Sequence, residues 1–350
     1  MLRHQQLFNA MNQQIDSGID MLDEYNVTIE SLDAASDLLG RLHNGDTSAV
    51  IDAQARFGSQ MSGEGVSMEG VQIHVNSNQV QMVIDFLKKW IPILIAKIKQ
   101  VFRQFVAWVK QKLAAIEARL KNLKRWIQET AQSNVVVELH YSGEAPLGVV
   151  AFSSQGGPLF HSRGLSDAMR WVESLVDAAD RDSGFTRISG GVDFVSSMSE
   201  WLTLNREHEL FPKVGHFDSD ADVAAAVSDM PSPTSATSVA KADFMSSMDH
   251  FWVNLSKPQI GDWLNKLDNC QLVNNDHAQK MLKSFNSLEV RLAKLERASR
   301  TYEDGRAGRY QTAVKAVSYA LNAAQAGLQF RLQILSSAVS LMETSTGFKR

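Results

Sequence analysis

The sequence predicts a mainly α fold with a small α+β unit, and three observations carry that expectation. Trp90, Trp108 and Trp126 recur every eighteen residues, a whole number of turns at 3.6 residues per turn, so one helix would align them on a single line. Between Asn134 and Ile188 the chain changes to β-branched runs separated by Gly- and Pro-containing turns. From His277 onward apolar residues again recur at helical spacing on both sides of Asp304-Gly305. The expected architecture is a long basic amphipathic helix, a central β-hairpin plus helix, and a C-terminal helical hairpin.

The first stretch, 1–57, reads as an acidic helical leader, with helices over Leu7–Leu22 and Ile29–Leu42 stopped at Gly40 and Asn44-Gly45. Residues 1–80 hold eleven acids against three bases, a net of −8. Next, 58–77 is a junction of different composition, Gly58-Ser-Gln-Met-Ser-Gly-Glu-Gly-Val-Ser-Met-Glu-Gly70. Small residues of this kind predict a flexible segment whose backbone a protease can reach.

The basic helix is assigned to 78–131. With Trp90 as zero and about 100° per residue, an arc of roughly 140° collects Val101, Leu94, Phe105, Leu123, Ile98, Ile116, Val109, Ile127, Phe102, Leu120, Ile95 and Leu113. The other side carries Lys88, Lys89, Lys97, Lys99, Arg103, Lys110, Lys121, Lys124 and Arg125. From Lys88 to Trp126 eleven bases face one acid, Glu117, a net of +10 in a chain whose total is −4. Helices that only solve a packing problem mix Glu with Lys, so this excess selects an anionic partner over a merely solvated face. Nucleic acid suits the lysine face, and an anionic membrane suits tryptophans along the border of an apolar arc.

Residues 134–190 form the α+β unit. Val135–Tyr141 and Leu147–Phe152 read as a hairpin joined by 142–146, followed by a helix over Ser166–Asp180 and a third strand near Phe185–Ile188. The segment 191–262 reads as helical, with a Pro/Ser linker at 230–239. It contains an echo: Asp193-Phe-Val-Ser-Ser-Met198 and Asp243-Phe-Met-Ser-Ser-Met248, each followed by a tryptophan, Trp201 and Trp252. Two similar helices capped by the aspartates are expected. The C-terminal hairpin spans 270–345, with Leu282, Phe285, Leu288, Leu292 and Leu295 on the first arm. Val314, Val317, Leu321, Leu328, Leu332, Leu335 and Val339 mark the returning arm, a surface for pairing within the molecule or between copies.

Several function classes find little support. Cys270 is the only cysteine, which excludes an intrachain disulfide framework and a multi-cysteine metal site and fits a reducing compartment. The first residues lack the apolar core of a secretory signal, and no run approaches eighteen uncharged apolar residues. Asp218, Asp220 and Asp222 have the alternate spacing of a calcium loop, but Val223 stands where such a loop needs glycine, and a helix start explains them better. Glu207-His208-Glu209 with His216 lacks the spacing of a metal helix. Ser153-Ser154 beside Gly156-Gly157, with His140 and His161, has no glycine-framed serine elbow, and no phosphate-binding Gly-Lys-Ser/Thr loop occurs. No catalytic residue, metal or cofactor is expected, and an enzyme built on the α+β unit is the least favoured reading.

Ser62-Gly63-Glu64 before Gly65, and Ser67-Met68-Glu69 before Gly70, stand in tandem at the junction between acidic leader and basic helix. They resemble the Ser-any-Glu sites cut by prohead proteases of phiKZ-like giant tailed phages. Acidic leader, cleavable junction, basic Trp/Lys helix and helical remainder together resemble the internal head proteins of that group. The resemblance implies a non-enzymatic virion structural protein, packaged in the capsid interior, that loses an N-terminal propeptide and reaches the host cytoplasm or inner membrane on ejection. Glu64 or Glu69 would precede the cut. The implied partners are the prohead protease, other virion proteins, and nucleic acid or an anionic membrane, with a homo-oligomer formed through the C-terminal hairpin. A leader of −8 would mask a helix of +10 until its removal. The alternative reading is a membrane-active protein or toxin acting on anionic bilayers.

Overall fold

A computed structural model describes residues 27–63, 75–129, 137–142, 148, 163–181, 191–205, 207–213, 219–246, 250–268, 290–297 and 307–345. These are mainly helical. Along the chain run α1 (27–43), α2 (Ser48–Gly63), α3 (Ser77–Glu129), β1 (Val137–Ser142), α4 (Arg163–Arg181), α5 (Gly191–Thr203) and α6 (Asp220–Ser228). They are followed by α7 (Pro233–Ser246), β2 (His250–Leu255), α8 (Lys257–Asp268), α9 (290–297) and α10 (Ala307–Ser345).

The centre of the fold is α10, which packs against α3, α4, α5, α6, α7 and β1. A helix takes that place when it is apolar all round, and α10 buries Ala313, Val314, Ala316, Val317, Ala320, Leu321, Ala323, Ala324 and Leu328 on several sides at once. Alanines let neighbouring backbones come close. The apolar stripe expected on a returning hairpin arm is therefore used inside this chain. Of the first arm, α9 bridges α3 and α4: Glu296 pairs with Lys99 at 2.8 Å, Arg291 with Glu173 at 2.7 Å, and Lys294 with Asp177. Residues 270–289 lie outside the described residues.

Two locks hold α5 to α10. The Trp201 indole N–H donates to the Ala323 carbonyl at 2.8 Å, and the Arg331 guanidinium stacks 3.7 Å from the Trp201 ring. Arg331 also donates to the carbonyls of Trp201 and Gly327. Burial pushes its pKa down to about 9, opposed by Glu200. Gly327 permits the approach, because a Cβ there would lie 2.2 Å from Trp201 Nε1. The echoed phenylalanines dock in parallel: Phe194 meets Tyr319, and Phe244 meets Phe330, three turns further along α10.

The echo nevertheless gives two different local structures. α5 is a helix as expected, though it begins at Gly191, so Asp193 lies inside its first turn rather than capping it; α7 begins at Pro233, so Asp243 lies near its C-terminal end and Trp252 falls in β2. The expected linker 230–239 is largely the first half of α7. Proline at the first helical position needs no N–H partner and has the right φ, and Ala236, Thr237 and Ala240 are buried. β2 interrupts the segment expected to be helical because Phe251-Trp-Val253 is an aromatic, β-branched run suited to a strand.

β1 pairs antiparallel with β2, from Val137 opposite Leu255 to Ser142 opposite His250. Of the strand expected at 147–152 only Gly148 is described. Its N–H donates to Ser337 Oγ at 2.9 Å, and a Cβ on it would lie 2.3 Å from the Ala338 nitrogen. Gly148 is where the backbone meets α10. The helix α4 matches the expected one and buries Met169, Val172, Leu175 and Val176 on one face. The strand expected at 185–188 lies outside the described residues.

The N-terminal segment departs from expectation at its end. Gly40 does not stop α1; its missing Cβ makes room for the Gln311 side chain, which donates to the carbonyls of Ser36 and Asp37. Gly45, at φ +82°, makes the turn. Residues 58–63 are the last turns of α2 rather than part of a junction. Phe57 and Met61, one turn apart, are buried, and Phe57 lies 6.4 Å from Phe86 of α3. That burial outweighs the roughly 1 kcal/mol that each helical glycine costs.

Candidate functional site

The basic helix exists as one 53-residue element. Its N-terminus is closed by a reciprocal box in which Asn76 Oδ1 accepts from the Gln79 N–H and Gln79 Oε1 accepts from the Asn76 N–H, both at 2.9 Å. All twelve residues of the apolar arc are buried. α2, α8 and α10 pack on α3. The hydrophobic side of this helix is interior.

The tryptophan line sits at the seam of that burial. Trp90, Trp108 and Trp126 are half-buried against the core. Trp90 stacks on Phe86 and Trp108 on Phe105, each with centroids 5.9 Å apart. Among the described residues the indole N–H groups of Trp90 and Trp108 are buried without an acceptor. An interfacial tryptophan keeps its N–H in the wet headgroup layer, so these rings are set as packing residues.

The basic face divides into three. Lys89, Lys97, Arg103, Lys110, Lys121 and Arg125 are exposed. Lys88 and Lys124 are half-buried, and they, like the exposed Lys97 and Arg103, have partners within the chain. Lys99 is held by Glu296, its side chain 16% exposed, and so it does not belong to an open surface. By helical angle Lys97 stands near the tryptophan line, whereas Lys89, Arg103, Lys110, Lys121 and Arg125 share an arc of about 60°. Those five form a stripe.

Arg119 is the residue that the division into two faces overlooks. About 100° per residue places it at the angle of Val101, inside the apolar arc. A guanidinium in that position needs a partner, and it has one: Nε and Nη2 donate to the two oxygens of Glu343 at 3.1 and 2.8 Å, and Nη2 also donates to Ser340 Oγ at 2.8 Å. The signal was present in the sequence as a charge at an apolar angle. Lys112, also within the arc, has its ammonium 5.6 Å from the Trp108 ring, a cation–π contact.

The described part of the leader, 27–63, belongs to the same core. Ile29, Leu32, Leu39, Val50, Phe57 and Met61 are buried in the cluster that includes the arc of α3. Its charges meet locally: Arg41 donates to Asp46 and Asp52, both at 2.7 Å, and Ser318 of α10 donates to Asp33 at 2.8 Å. A cleft of about 530 Å³ between α1, α2 and α10 is lined by Glu30, Asp33, Asp37, Arg41, Asp52, Arg56 and Lys315. Burial pushes the Asp33 carboxyl up to about 6; Ser318 and Lys315 pull it down and Glu30 adds to the rise. Acids and bases alternate there, so the cleft carries no strong field of one sign.

Other sequence candidates resolve into structure. His208 Nε2 lies 3.0 Å from Asp243 Oδ2, and its Nδ1 accepts from the Leu210 N–H, so both ring nitrogens are engaged. Ser219 caps α6 in a reciprocal box with Asp222. Among the described residues no group of three or more His, Cys, Asp or Glu side chains is placed to hold a metal ion. No described helix is long and apolar enough to cross a membrane. Glu64 and Glu69, with Ser153, Ser154, His161 and His216, lie outside the described residues. No family model, curated protein or solved structure matches the chain.

Proposed function

We propose that this chain is a non-enzymatic internal head protein of a phiKZ-like giant tailed phage, packaged in the capsid and bound to the genome through the basic stripe of α3. The observation that carries the binding half is the contrast between the two faces of α3: the apolar arc is buried, while Lys89, Arg103, Lys110, Lys121 and Arg125 are exposed. A cationic surface on a rigid scaffold attracts phosphates by releasing counterions. Insertion into a bilayer would need the arc that α2, α8 and α10 cover. Burial of the arc therefore favours nucleic acid over lipid.

The virion half rests on the order of acidic leader, tandem Ser-any-Glu sites and basic helix. The prohead protease cuts after Glu64 or Glu69, and other virion proteins are neighbours. Since 27–63 shares the core with α3, processing nicks the chain rather than uncovering the stripe.

Mass spectrometry of purified particles tests the virion half. The expected result is chain ending after Glu64 or Glu69 together with a new N-terminus at Gly65 or Gly70. An unbroken junction overturns the processing, and absence of the chain from particles overturns the packaging. Binding of the full chain to nucleic acid, against vesicles of anionic lipid, tests the other half; retention by vesicles alone overturns it.

A further inference from the structure

We propose that the cleft between α1, α2 and α10 binds a small aliphatic zwitterion, its ammonium end held by carboxylates of α1 and its carboxylate end by cations of α2 and α10. None of the residues lining the cleft belongs to α3, so this site stands apart from the genome-binding reading.

The two signs of charge come from different elements. Glu30, Asp33 and Asp37 fall within an arc of about 60° on α1 and span about 10 Å along it. Arg56 reaches them from α2, where its Nη2 donates to the Glu30 carbonyl at 3.2 Å. Lys315 comes from α10, about one turn before the Ser318 hydroxyl that donates to Asp33. Arg41 also lines the cleft, but Asp46 and Asp52 already match its charge.

The remaining charges do not match one another. Among the described residues the side chains of Glu30, Asp37 and Lys315 make no hydrogen bond or ion pair, and Arg56 makes only its bond to a carbonyl. Asp37 and Lys315 are nevertheless half-buried, and a charge drawn out of water needs a partner. The floor is drier still, because burial is the chief cause that lifts the Asp33 carboxyl to about 6.

Only a ligand of both signs satisfies every wall. A simple cation would meet Arg56 and Lys315, and a simple anion would meet Glu30, Asp33 and Asp37. These acids are not grouped to hold a metal ion, since no such cluster occurs among the described residues. The volume of about 530 Å³ falls within the roughly 300–1,000 Å³ of small-molecule sites. Because the cations and acids of the cleft stand beyond ion-pair reach of each other, the ligand must carry its own charges apart. Ala34 and Leu38, beside the acids on α1, give methylene groups between those charges an apolar strip to cover.

The test uses the full chain and isothermal titration calorimetry with ε-aminocaproate, against hexylamine and hexanoate, which carry one charge each. ε-Aminocaproate is expected to bind saturably and at least tenfold more tightly than either single-charge probe. Lys315→Gln should weaken ε-aminocaproate and hexanoate several-fold and leave hexylamine as it was. Asp37→Asn should weaken ε-aminocaproate and hexylamine and leave hexanoate as it was. A loss of packing would lower all three probes together, so this crossed pattern separates charge from fold. Glu30→Gln and Arg56→Gln, at the exposed rim, repeat the crossed comparison if an inner substitution unfolds the chain. Lys241→Gln, exposed on α7, is the control and should change nothing. Absence of saturable binding, hexylamine or hexanoate binding as tightly as ε-aminocaproate, or affinities untouched by the inner and rim substitutions overturns the proposal.

Discussion

Arg119 and Glu343 join the basic helix to the central helix by two parallel hydrogen bonds, of 3.1 and 2.8 Å, between residues 224 positions apart. The most basic segment of the chain thus uses one of its charges internally, and the pair fixes how α3 lies on α10. Glu343 has only 8% of its side chain exposed. Arg119→Ala leaves that carboxylate buried without its countercharge and should destabilise the fold by about 3 kcal/mol, read as a shift in the urea midpoint at unchanged m-value. Lys121→Ala, at an exposed position, should shift it by less than about 0.5 kcal/mol. Indistinguishable midpoints would refute the role given to the pair.

The contact of Gly327 with Trp201 predicts an overpacking defect. Gly327→Ala places a methyl where the indole lies, 2.2 Å from Nε1, and should cost about 1–3 kcal/mol. Loss of near-ultraviolet circular dichroism from the Trp201 environment with far-ultraviolet signal retained is the expected signature. A variant as stable as the parent would show that α5 and α10 are not locked there.

Asp33 predicts a pH dependence of opposite sign to that of a paired surface carboxylate. Its folded pKa, about 6, lies above the ordinary value of 3.8, so the folded state holds the proton more tightly. The penalty of the ionised form is fully present above pH 6 and is relieved as pH falls through 6 towards 3.8. Asp33→Asn, which keeps an acceptor for Ser318, should stabilise the protein at pH 8 by up to about 3 kcal/mol. The gain should shrink to nothing below pH 4. Thermal melts of the two proteins across pH 4–8 measure this, and a constant difference would contradict it.

The burial of α1 and α2 makes a prediction about cleavage. If the chain is cut within 64–74 by a protease whose site has been inserted there, the fragment containing 27–63 should co-elute with the remainder on gel filtration. It should separate only in denaturant, because Ile29, Leu32, Phe57 and Met61 share the core of α3 and α10. Separation in buffer would show that the leader is detachable.

The sequence alone was most informative where structure is local. Helix α4 and its buried face, the helix start at Asp220, and both faces of α3 follow from periodicity and side-chain chemistry within a few turns. It misled where a local signal competed with tertiary burial. Pro231–Ser238 has the composition of a linker but begins a helix whose alanines pack away. Gly58 and Gly63 suggest a break, yet Phe57 and Met61 hold the helix together. The echoed motif lies near the start of a helix in its first copy and at the end of one in its second, so Trp201 is helical and Trp252 lies in a strand.

For the candidate site, the sequence determined that one helix would carry an apolar arc and an excess of positive charge, because both properties depend only on the order of residues along that helix. The tertiary structure alone decided that the arc is interior, that Lys99 and Arg119 are held by acids of other elements, and that Lys89, Arg103, Lys110, Lys121 and Arg125 lie exposed, Arg103 with a partner of its own. Those outcomes depend on α8, α9 and α10, which arrive from more than a hundred residues away. A sequence states which groups must find partners; the packing of distant elements decides which of them do.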